Sequence, residues 1–336
     1  MKKYPWQSDV WQRLHEARAR LPHALLLHGR SGIGKFDFAQ HLAKSLLCQS
    51  PKADGQACDA CSSCSWFLQS NHPDYRLLTA EQDASDEDDA AGTVKKSAKK
   101  SQISVTQVRE LSSFLGLSSH RAGGLRVVVI HPAETLNASS ANALLKMLEE
   151  PPAGVVFILV SHQPQRLLPT IVSRCQKIDM PIPEITVALQ WLKEMGLKDA
   201  DQQLDYAGGS PLSALRDAEE GGQSFGDIIK LLLHGAKLDP FMAASLCAAQ
   251  GMEAATGALQ KWIYDLLAVR LTGEVRYHAQ HMSALQALTK SVNLGLLLDF
   301  QRKLDEARKS AAHPLNNELQ LESLLLQYTH IFSTRI

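Results

Sequence analysis

A glycine-rich segment with a lysine is the first part of this sequence that could do chemistry. Residues 29–36 read G-R-S-G-I-G-K-F, which matches the pattern G-x-x-x-x-G-K of phosphate-binding loops. Glycines let successive backbone N–H groups curl around phosphate groups, and the lysine reaches the terminal phosphates of a nucleotide. The predicted phosphate-binding residues are Gly29, Gly32, Gly34 and Lys35.

The metal-handling positions of a hydrolytic phosphate loop are replaced in this chain. The residue after the lysine should be Ser or Thr, whose hydroxyl binds Mg²⁺, but it is Phe36. An active enzyme also places an Asp-Glu pair at the end of a later strand, and here the strand ending at Ile130 is followed by His131-Pro132. We expect a loop that keeps its shape without hydrolysing ATP. Whether it binds nucleotide weakly or not at all stays open.

Four of the six cysteines form a cluster with metal-binding spacing. The cluster consists of Cys48, Cys58, Cys61 and Cys64. Its two overlapping C-x-x-C turns suit tetrahedral coordination by thiolates, and four cysteines are a common structural zinc site. A closed shell of four thiolates leaves no open position for catalysis. An iron–sulfur cluster and four reduced cysteines without metal are the alternatives, and the spacing favours zinc.

Apolar runs predict the elements that position these motifs. Short runs typical of strands buried on both faces occupy residues 24–28, 125–130 and 155–160. Helical patterns follow Lys35 and Asn137, and Pro151-Pro152 ends the second of them. The alternation of strands and helices predicts an α/β fold, with a parallel sheet and helices on both faces.

The remaining chain divides into a polar insertion and a helical part. Residues 81–101 combine an acidic block with lysines and lack large apolar residues from 81 to 93, so we predict a mobile loop, with a partner-binding arm as the alternative. Strand signals stop beyond about residue 183. Long helical patterns follow at 225–234, 240–250, 253–272, 283–311 and 316–332. They predict an all-helical C-terminal third.

Composition excludes several classes of protein. With 45% hydrophobic and 21% charged residues among 336, the chain is globular rather than disordered. Lysine plus arginine and aspartate plus glutamate both number 35, so no net charge indicates a nucleic-acid or membrane partner. No apolar run approaches the roughly 18 residues of a membrane helix. A soluble, cytoplasmic protein is expected.

Several segments together resemble bacterial clamp-loader subunits of the AAA+ class. They are the phosphate loop, the four-cysteine insertion after its helix, the run N-A-L-L-K-M-L-E-E-P-P at 142–152, and Ser173-Arg174-Cys175. The opening Tyr4-Pro5-Trp6, the segment Asn71-His72-Pro73-Asp74 and the degenerate loop resemble a subunit of that class that does not hydrolyse ATP. The resemblance implies an AAA+ P-loop domain at 1–182 with a zinc module at 48–64, a small helical lid domain at 183–223, and an all-helical collar at 224–336.

The resemblance also implies a function. The subunit would be a scaffold that joins the delta and gamma/tau subunits in a pentamer, an accessory complex of a DNA-directed DNA polymerase that loads the sliding clamp onto primed DNA. Arg174 would act in trans as an arginine finger on the neighbouring subunit's ATP, since a guanidinium is an always-charged, forked partner for phosphate. One alternative is an ATP-hydrolysing motor subunit of the gamma/tau type, which Phe36 and His131 oppose. Another is a zinc-dependent nucleic-acid-binding module, which the balanced charge opposes.

Overall fold

The chain forms two compact units, Met1–Val187 and Ala188–Ile336. The computed structural model describes residues 4–80, 102–116, 119–120, 124–219, 222–309 and 316–332. The predicted mobile loop at 81–101 lies outside the described residues. The finer division of the helical part into a lid at 183–223 and a collar at 224–336 stays a prediction.

A five-stranded parallel sheet lies at the centre of the first unit. Its strands are β1 (Ala24–His28), β2 (Tyr75–Leu78), β3 (Arg126–Ile130), β4 (Val155–Ser161) and β5 (Gln176–Asp179), in the order β2-β3-β4-β1-β5. The three central strands are buried almost throughout and are the ones that the apolar runs predict. The edge strands β2 and β5 escape prediction because they are short and carry exposed polar residues.

Helices cover both faces of this sheet. They are α1 (Ser8–Glu16), α2 (Lys35–Leu47), α3 (Ser62–Leu68), α4 (Val105–Gly116), α5 (Ala138–Glu149) and α6 (Pro169–Arg174). Successive side chains of β1 lie on opposite faces of the sheet and belong to two hydrophobic cores. Leu25 packs among side chains of α2, and Leu26 packs among those of α4 and α5. The structure therefore confirms the predicted α/β class, with a parallel sheet covered on both sides.

Local signals explain where α5 begins and ends. The Asn137 side chain accepts a hydrogen bond from the backbone N–H of Ser140 at 2.8 Å, so it caps the first turn as predicted. Two residues beyond Glu149, the last residue of α5, the chain reaches Pro151-Pro152, which cannot continue a helix. The end of α5 is thus fixed by sequence.

The second unit is all-helical in its described residues, as predicted. Its helices are α7 (Ile185–Glu194), which begins in the first unit, α8 (Ala200–Tyr206), α9 (Pro211–Glu219), α10 (Gly222–Leu232), α11 (Pro240–Ala249), α12 (Met252–Thr272), α13 (Met282–Thr289), α14 (Leu294–Lys309) and α15 (Asn317–His330). A buried hydrogen bond of 2.9 Å from Trp262 Nε1 to the Tyr328 hydroxyl ties α12 to α15 in the core. None of the described helices is long and apolar enough to cross a membrane.

The predicted single helix over 283–311 is wrong, because two helices occupy that range. α13 ends at Thr289 and α14 begins at Leu294. Between them, the Asn293 side chain accepts the backbone N–H of Leu296 at 3.2 Å, and the Asn293 backbone N–H donates to the carbonyl of Ile331 at 2.8 Å. Asparagine thus starts a new helix at a position that periodicity alone reads as continuous.

Candidate functional site

The phosphate loop connects β1 to α2 and depends on its glycines. Gly34 precedes α2 with a left-handed φ of +82°, and a Cβ there would lie 2.4 Å from the Tyr4 ring. Gly29 has φ of +144°, and a Cβ there would lie 2.7 Å from the carbonyl oxygen of Met180. Neither position accommodates a side chain. The loop therefore lies between a strand and a helix, as the motif predicts.

Lys35 folds back over this loop. Its Nζ donates to the carbonyl oxygen of Gly29 at 2.7 Å and also to that of Arg30. The side chain is buried, and burial lowers its pKa to about 8 although the nearby carboxylate of Glu134 opposes that shift. The ammonium is thus held at the loop, where phosphate oxygens could replace the two carbonyls as its partners.

The two residues that replace the Mg²⁺-handling positions stack on each other. The rings of Phe36 and His131 have centroids 4.5 Å apart and planes inclined by 17°. The His131 ring also meets His162 edge to face at 5.4 Å. Burial, followed by the charge of His162, lowers the pKa of His131 to about 4. This side of the loop is therefore lined by the phenyl ring of Phe36 and by the His131 imidazole, which stays neutral.

Glu134, the carboxylate in the segment after β3, is engaged by the backbone. One of its oxygens accepts the backbone N–H of His162 at 3.0 Å. Mg²⁺ takes oxygen ligands in near-octahedral geometry, and phosphate-loop enzymes supply them from a hydroxyl and a carboxylate. Phe36 and His131 supply neither at the positions expected for them. The local geometry therefore does not resemble a Mg²⁺-dependent hydrolytic site.

The N-terminal segment at residues 4–7 braces the loop from outside. Trp6 Nε1 donates to the carbonyl of Ile33 at 3.0 Å, and Gln7 Nε2 donates to the carbonyls of Ile33 and Gly34, each at 2.9 Å. The Tyr4 hydroxyl donates to Asp37 at 2.9 Å. Sequence reasoning marks Tyr4-Pro5-Trp6 only through family resemblance, and nothing in the residues themselves predicts these contacts.

The four clustered cysteines come together in the folded chain. The Sγ atoms of Cys48, Cys58, Cys61 and Cys64 all lie within 4.8 Å of one another. Two of the pairs, Cys48 with Cys61 and Cys58 with Cys64, are each 4.0 Å apart. Tetrahedral thiolates at a Zn–S distance of about 2.3 Å would be about 3.8 Å apart. The sulfur positions therefore fit one tetrahedral metal ion.

Backbone groups around the cluster favour thiolate over thiol at Cys58. The N–H groups of Ala60 and Cys61 lower the pKa of Cys58 to about 6. The backbone N–H of Cys58 in turn donates to Cys48 Sγ at 3.3 Å. Thiolates are the form that binds metal, so these contacts favour the metal-binding form of Cys58, while burial raises the pKa of Cys48 and Cys64.

A histidine anchors the cysteine-bearing helix α3 to the end of α2. The backbone N–H of Asp74 donates to His72 Nδ1 at 3.0 Å, so the ring proton belongs on Nε2, which lies 2.8 Å from the Ser63 hydroxyl. That hydroxyl donates to the carbonyl of Leu47 at 2.7 Å. Burial lowers the pKa of His72, which keeps the ring neutral. This role of the Asn71–Asp74 segment was beyond the reach of sequence reasoning.

Arg174 lies at the C-terminal end of α6, close to the end of α5. Its Nη2 is 2.6 Å from Glu149 Oε1, and its Nη1 donates to the carbonyl of Thr170 at 3.0 Å. About a third of the side chain, 34%, is exposed. Within the described residues these are its polar contacts, and none goes to the phosphate loop. Arg174 is therefore a surface arginine with a fixed guanidinium, and Glu149 is a partner that the sequence did not reveal.

Similarity to known proteins covers nearly the whole chain. Residues 6–184 match the family described as DNA polymerase III, delta subunit. The DNA polymerase III subunit delta' of Pseudomonas aeruginosa is 36% identical, covering 98% of this chain and 98% of its own length. The subunit delta' of Yersinia pestis is 31% identical, covering 99% and 97%. A solved DNA polymerase III gamma subunit-related protein of Thermotoga maritima covers 97% of this chain and 100% of its own, with 18% identity and a TM-score of 0.43. The sequence similarity thus extends over both compact units.

Proposed function

The chain belongs to the DNA polymerase III delta' family, and from that premise we propose that it is a non-hydrolysing scaffold subunit of the bacterial clamp loader. In this role it helps the complex place the sliding clamp on primed DNA during replication in the cytoplasm. Its direct partners are the delta and gamma/tau subunits, with which it forms a hetero-pentamer. The clamp and the DNA are contacted through the assembled complex.

The stacked pair of Phe36 and His131 carries the non-hydrolysing part of this proposal. The rings lie 4.5 Å apart where an active site would hold a hydroxyl and carboxylates around Mg²⁺. An ATP-hydrolysing motor subunit of the gamma/tau type needs those oxygen ligands. The loop with Gly29, Gly34 and Lys35 keeps its form, so phosphate or nucleotide binding without hydrolysis is the most that it supports.

The second part of the proposal is that Arg174 acts in trans. Its exposed position and its fixed guanidinium suit an arginine that meets the γ-phosphate of ATP bound to a neighbouring subunit. Such an arginine stabilises the charge that develops during phosphoryl transfer. This subunit would therefore contribute to hydrolysis at an interface without hydrolysing ATP itself.

The third part concerns the metal. Four cysteine sulfurs within 4.8 Å of one another can hold a metal ion, and we assign zinc to them. Zinc would be coordinated by Cys48, Cys58, Cys61 and Cys64, and its contribution would be to the stability of residues 48–64. A four-thiolate shell has no open position for a reacting molecule.

The test is the complex reconstituted with delta and gamma/tau subunits, carrying either wild-type chain or Arg174→Ala. We expect normal complex mass, lower DNA-stimulated ATPase and slower clamp loading. An arginine finger raises the hydrolysis rate at its own site by about 10³–10⁵-fold. The ATPase rate of the whole complex should fall by less, because the other sites keep their arginines. Arg174→Lys should not restore the rate fully, because an ammonium lacks the planar fork.

The matched control is Arg166→Ala, which changes an exposed arginine of the same region whose side chain donates a hydrogen bond to Gln163 at 3.3 Å. It should leave assembly, ATPase and clamp loading unchanged. An Arg174→Ala complex of normal mass and normal rates would remove the trans-acting role.

A further inference from the structure

We infer that Glu149 is a positioning residue for Arg174, holding its guanidinium in the orientation that meets a phosphate group on the neighbouring subunit. The inference rests on the proposed function of Arg174 and extends it to a second side chain. Glu149 is the first of two consecutive glutamates in the run at 142–152, and sequence reasoning gave neither of them an individual role.

The guanidinium is fixed at two points, on two different helices. Nη2 pairs with Glu149 Oε1 at the end of α5, at 2.6 Å, and Nη1 donates to the carbonyl of Thr170 within α6, at 3.0 Å. Two contacts on two terminal nitrogens define the plane and the rotation of the fork. A side chain held by one contact would keep rotating about its long axis.

These contacts leave donors available. An arginine carries five N–H groups, and Glu149 and Thr170 take one each, so three remain on Nε, Nη1 and Nη2. With about a third of the side chain exposed, Arg174 can keep both contacts while it donates to a phosphate. The Glu149 pair is therefore compatible with the bound state and need not break on binding.

The charges at the ends of the two helices favour this pair. Glu149 is the last residue of α5 and Arg174 the last of α6, so both side chains lie near free C-terminal carbonyls. A helix C-terminus carries partial negative charge, which disfavours a carboxylate and favours a cation. A carboxylate at the end of α5 is therefore stabilised when a cation lies beside it, and Arg174 is that cation.

A fixed guanidinium should raise the rate of hydrolysis, because the arginine side chain is already ordered before the reaction begins. A free arginine side chain must give up its rotational freedom each time it meets a phosphate, whereas a positioned one has already done so. Loss of the Glu149 contact should therefore lower the turnover number more than it weakens ATP binding.

The experiment measures ATPase kinetics of reconstituted complexes with ATP as the varied substrate. The four chains are wild type, Glu149→Gln, Arg174→Ala and the double variant. Glutamine keeps the shape of Glu149 without its charge. An exposed ion pair of this kind supports an effect of about two- to fivefold at the one ATPase site that Arg174 serves. The kcat of the whole complex should therefore fall by less than that factor, with little change in KM. In the Arg174→Ala background Glu149→Gln should have no further effect.

The matched control is Glu150→Gln, at the adjacent glutamate, which is exposed and makes no ion pair among the described contacts. It should leave kcat unchanged. Wild-type kcat in Glu149→Gln, an increase in kcat, or an equal fall in the Arg174→Ala background would each overturn the positioning role. If Arg174→Ala lowers the rate and Glu149→Gln does not, the proposed function stands and this inference fails. If Arg174→Ala has no effect, both fail.

Discussion

Phe36 and His131 are far apart in the sequence and meet as stacked rings beside the phosphate loop. Each is an unusual residue for its place in the motif, and together they exclude the oxygen ligands that Mg²⁺ requires. Lys35 and the glycines nevertheless keep the loop in shape. Phosphate binding and hydrolysis would therefore depend on different side chains, and each can be tested by itself.

The first residue-scale prediction is that the purified chain alone has no Mg²⁺-dependent ATPase activity. The reason is that neither Phe36 nor His131 supplies an oxygen ligand for Mg²⁺. Phosphate release should be measured with wild-type chain and with Lys35→Ala, which removes the ammonium at the loop. The prediction is contradicted by turnover that disappears in Lys35→Ala. Calorimetry on the same two proteins tests ATP binding separately.

The second residue-scale prediction concerns pH. Burial lowers the pKa of His131 from 6.5 to about 4, so the unfolded chain takes up the proton first as the pH falls. Stability contributed by neutral His131 is therefore present above pH 6.5 and is lost towards pH 4. The contribution of this group to the free energy of unfolding falls by about 2 kcal/mol between pH 8 and pH 5. Because a phenyl ring does not titrate, the free energy of unfolding of His131→Phe should fall by about 2 kcal/mol less than that of wild type over the same range.

This comparison uses urea unfolding of the full chain, monitored by circular dichroism, at both pH values. A pH-independent cost of the substitution cancels between the two measurements. His330→Phe, which changes an exposed histidine on α15, is the matched control and should behave as wild type. Equal acid sensitivity of His131→Phe and wild type would show that His131 is not kept neutral by burial.

At the scale of elements, the cysteine cluster is a small module held between α2, α3 and the loop that joins them. Its sulfurs lie within 4.8 Å of one another, which fits one ion. We expect one zinc per chain in protein purified without added metal, measured by elemental analysis. Cys64→Ser should abolish zinc binding and lower the stability of the chain, because metal binding is coupled to local folding. A chelator should lower the unfolding temperature of wild type.

The control for that variant is Cys247→Ser, which changes a buried cysteine of the helical unit, outside the cluster. It should retain one zinc per chain even if it destabilises its own core. Iron and sulfide in the purified protein, or full metal content in Cys64→Ser, would contradict the assignment.

Elements with strong local signals were predictable from sequence, and elements defined by tertiary context were not. The central strands β1, β3 and β4 and the Asn137 cap of α5 are all found where apolar runs and turn residues place them. The edge strands β2 and β5 carry exposed polar residues, so nothing local distinguishes them from loops.

The same limit applies to the site. Motif spacing predicts the cysteine cluster and the phosphate loop, because the residues of each motif lie close together in the sequence. The pairing of Arg174 with Glu149 and of His72 with Ser63 depends on how separate helices pack, which spacing does not encode. Both partners had to be seen in the folded chain.

At the scale of the whole molecule, the helical unit exposes apolar side chains on two helices that pack together, α11 and α15. Phe241 is 58% exposed on α11 and Leu319 is 60% exposed on α15. If this unit is the collar that contacts the other subunits, as the family resemblance implies, Phe241→Asp should weaken assembly, since it places a charge in an apolar contact. Stability of the isolated chain should change little, because the side chain is already exposed.

The measurement is the mass of the reconstituted complex as a function of concentration, with thermal unfolding of the isolated chain as a check on folding. Leu68→Asp introduces the same charge at an exposed leucine of the first unit and serves as the control. Unchanged assembly of Phe241→Asp would place the subunit contacts elsewhere.

The stacked rings of Phe36 and His131 also bear on how this chain could change, because under the proposed function they make the absence of hydrolysis hard to reverse. A single change of Phe36 to threonine would restore a hydroxyl but leave a gap against His131 and no carboxylate to share the metal. A single change of His131 to aspartate would place a charge against the partly buried Phe36 ring. Each step alone costs stability and restores no activity. A chain that carries both residues would therefore need both changes together to regain a hydroxyl and a carboxylate at this position, and either change alone would be selected against.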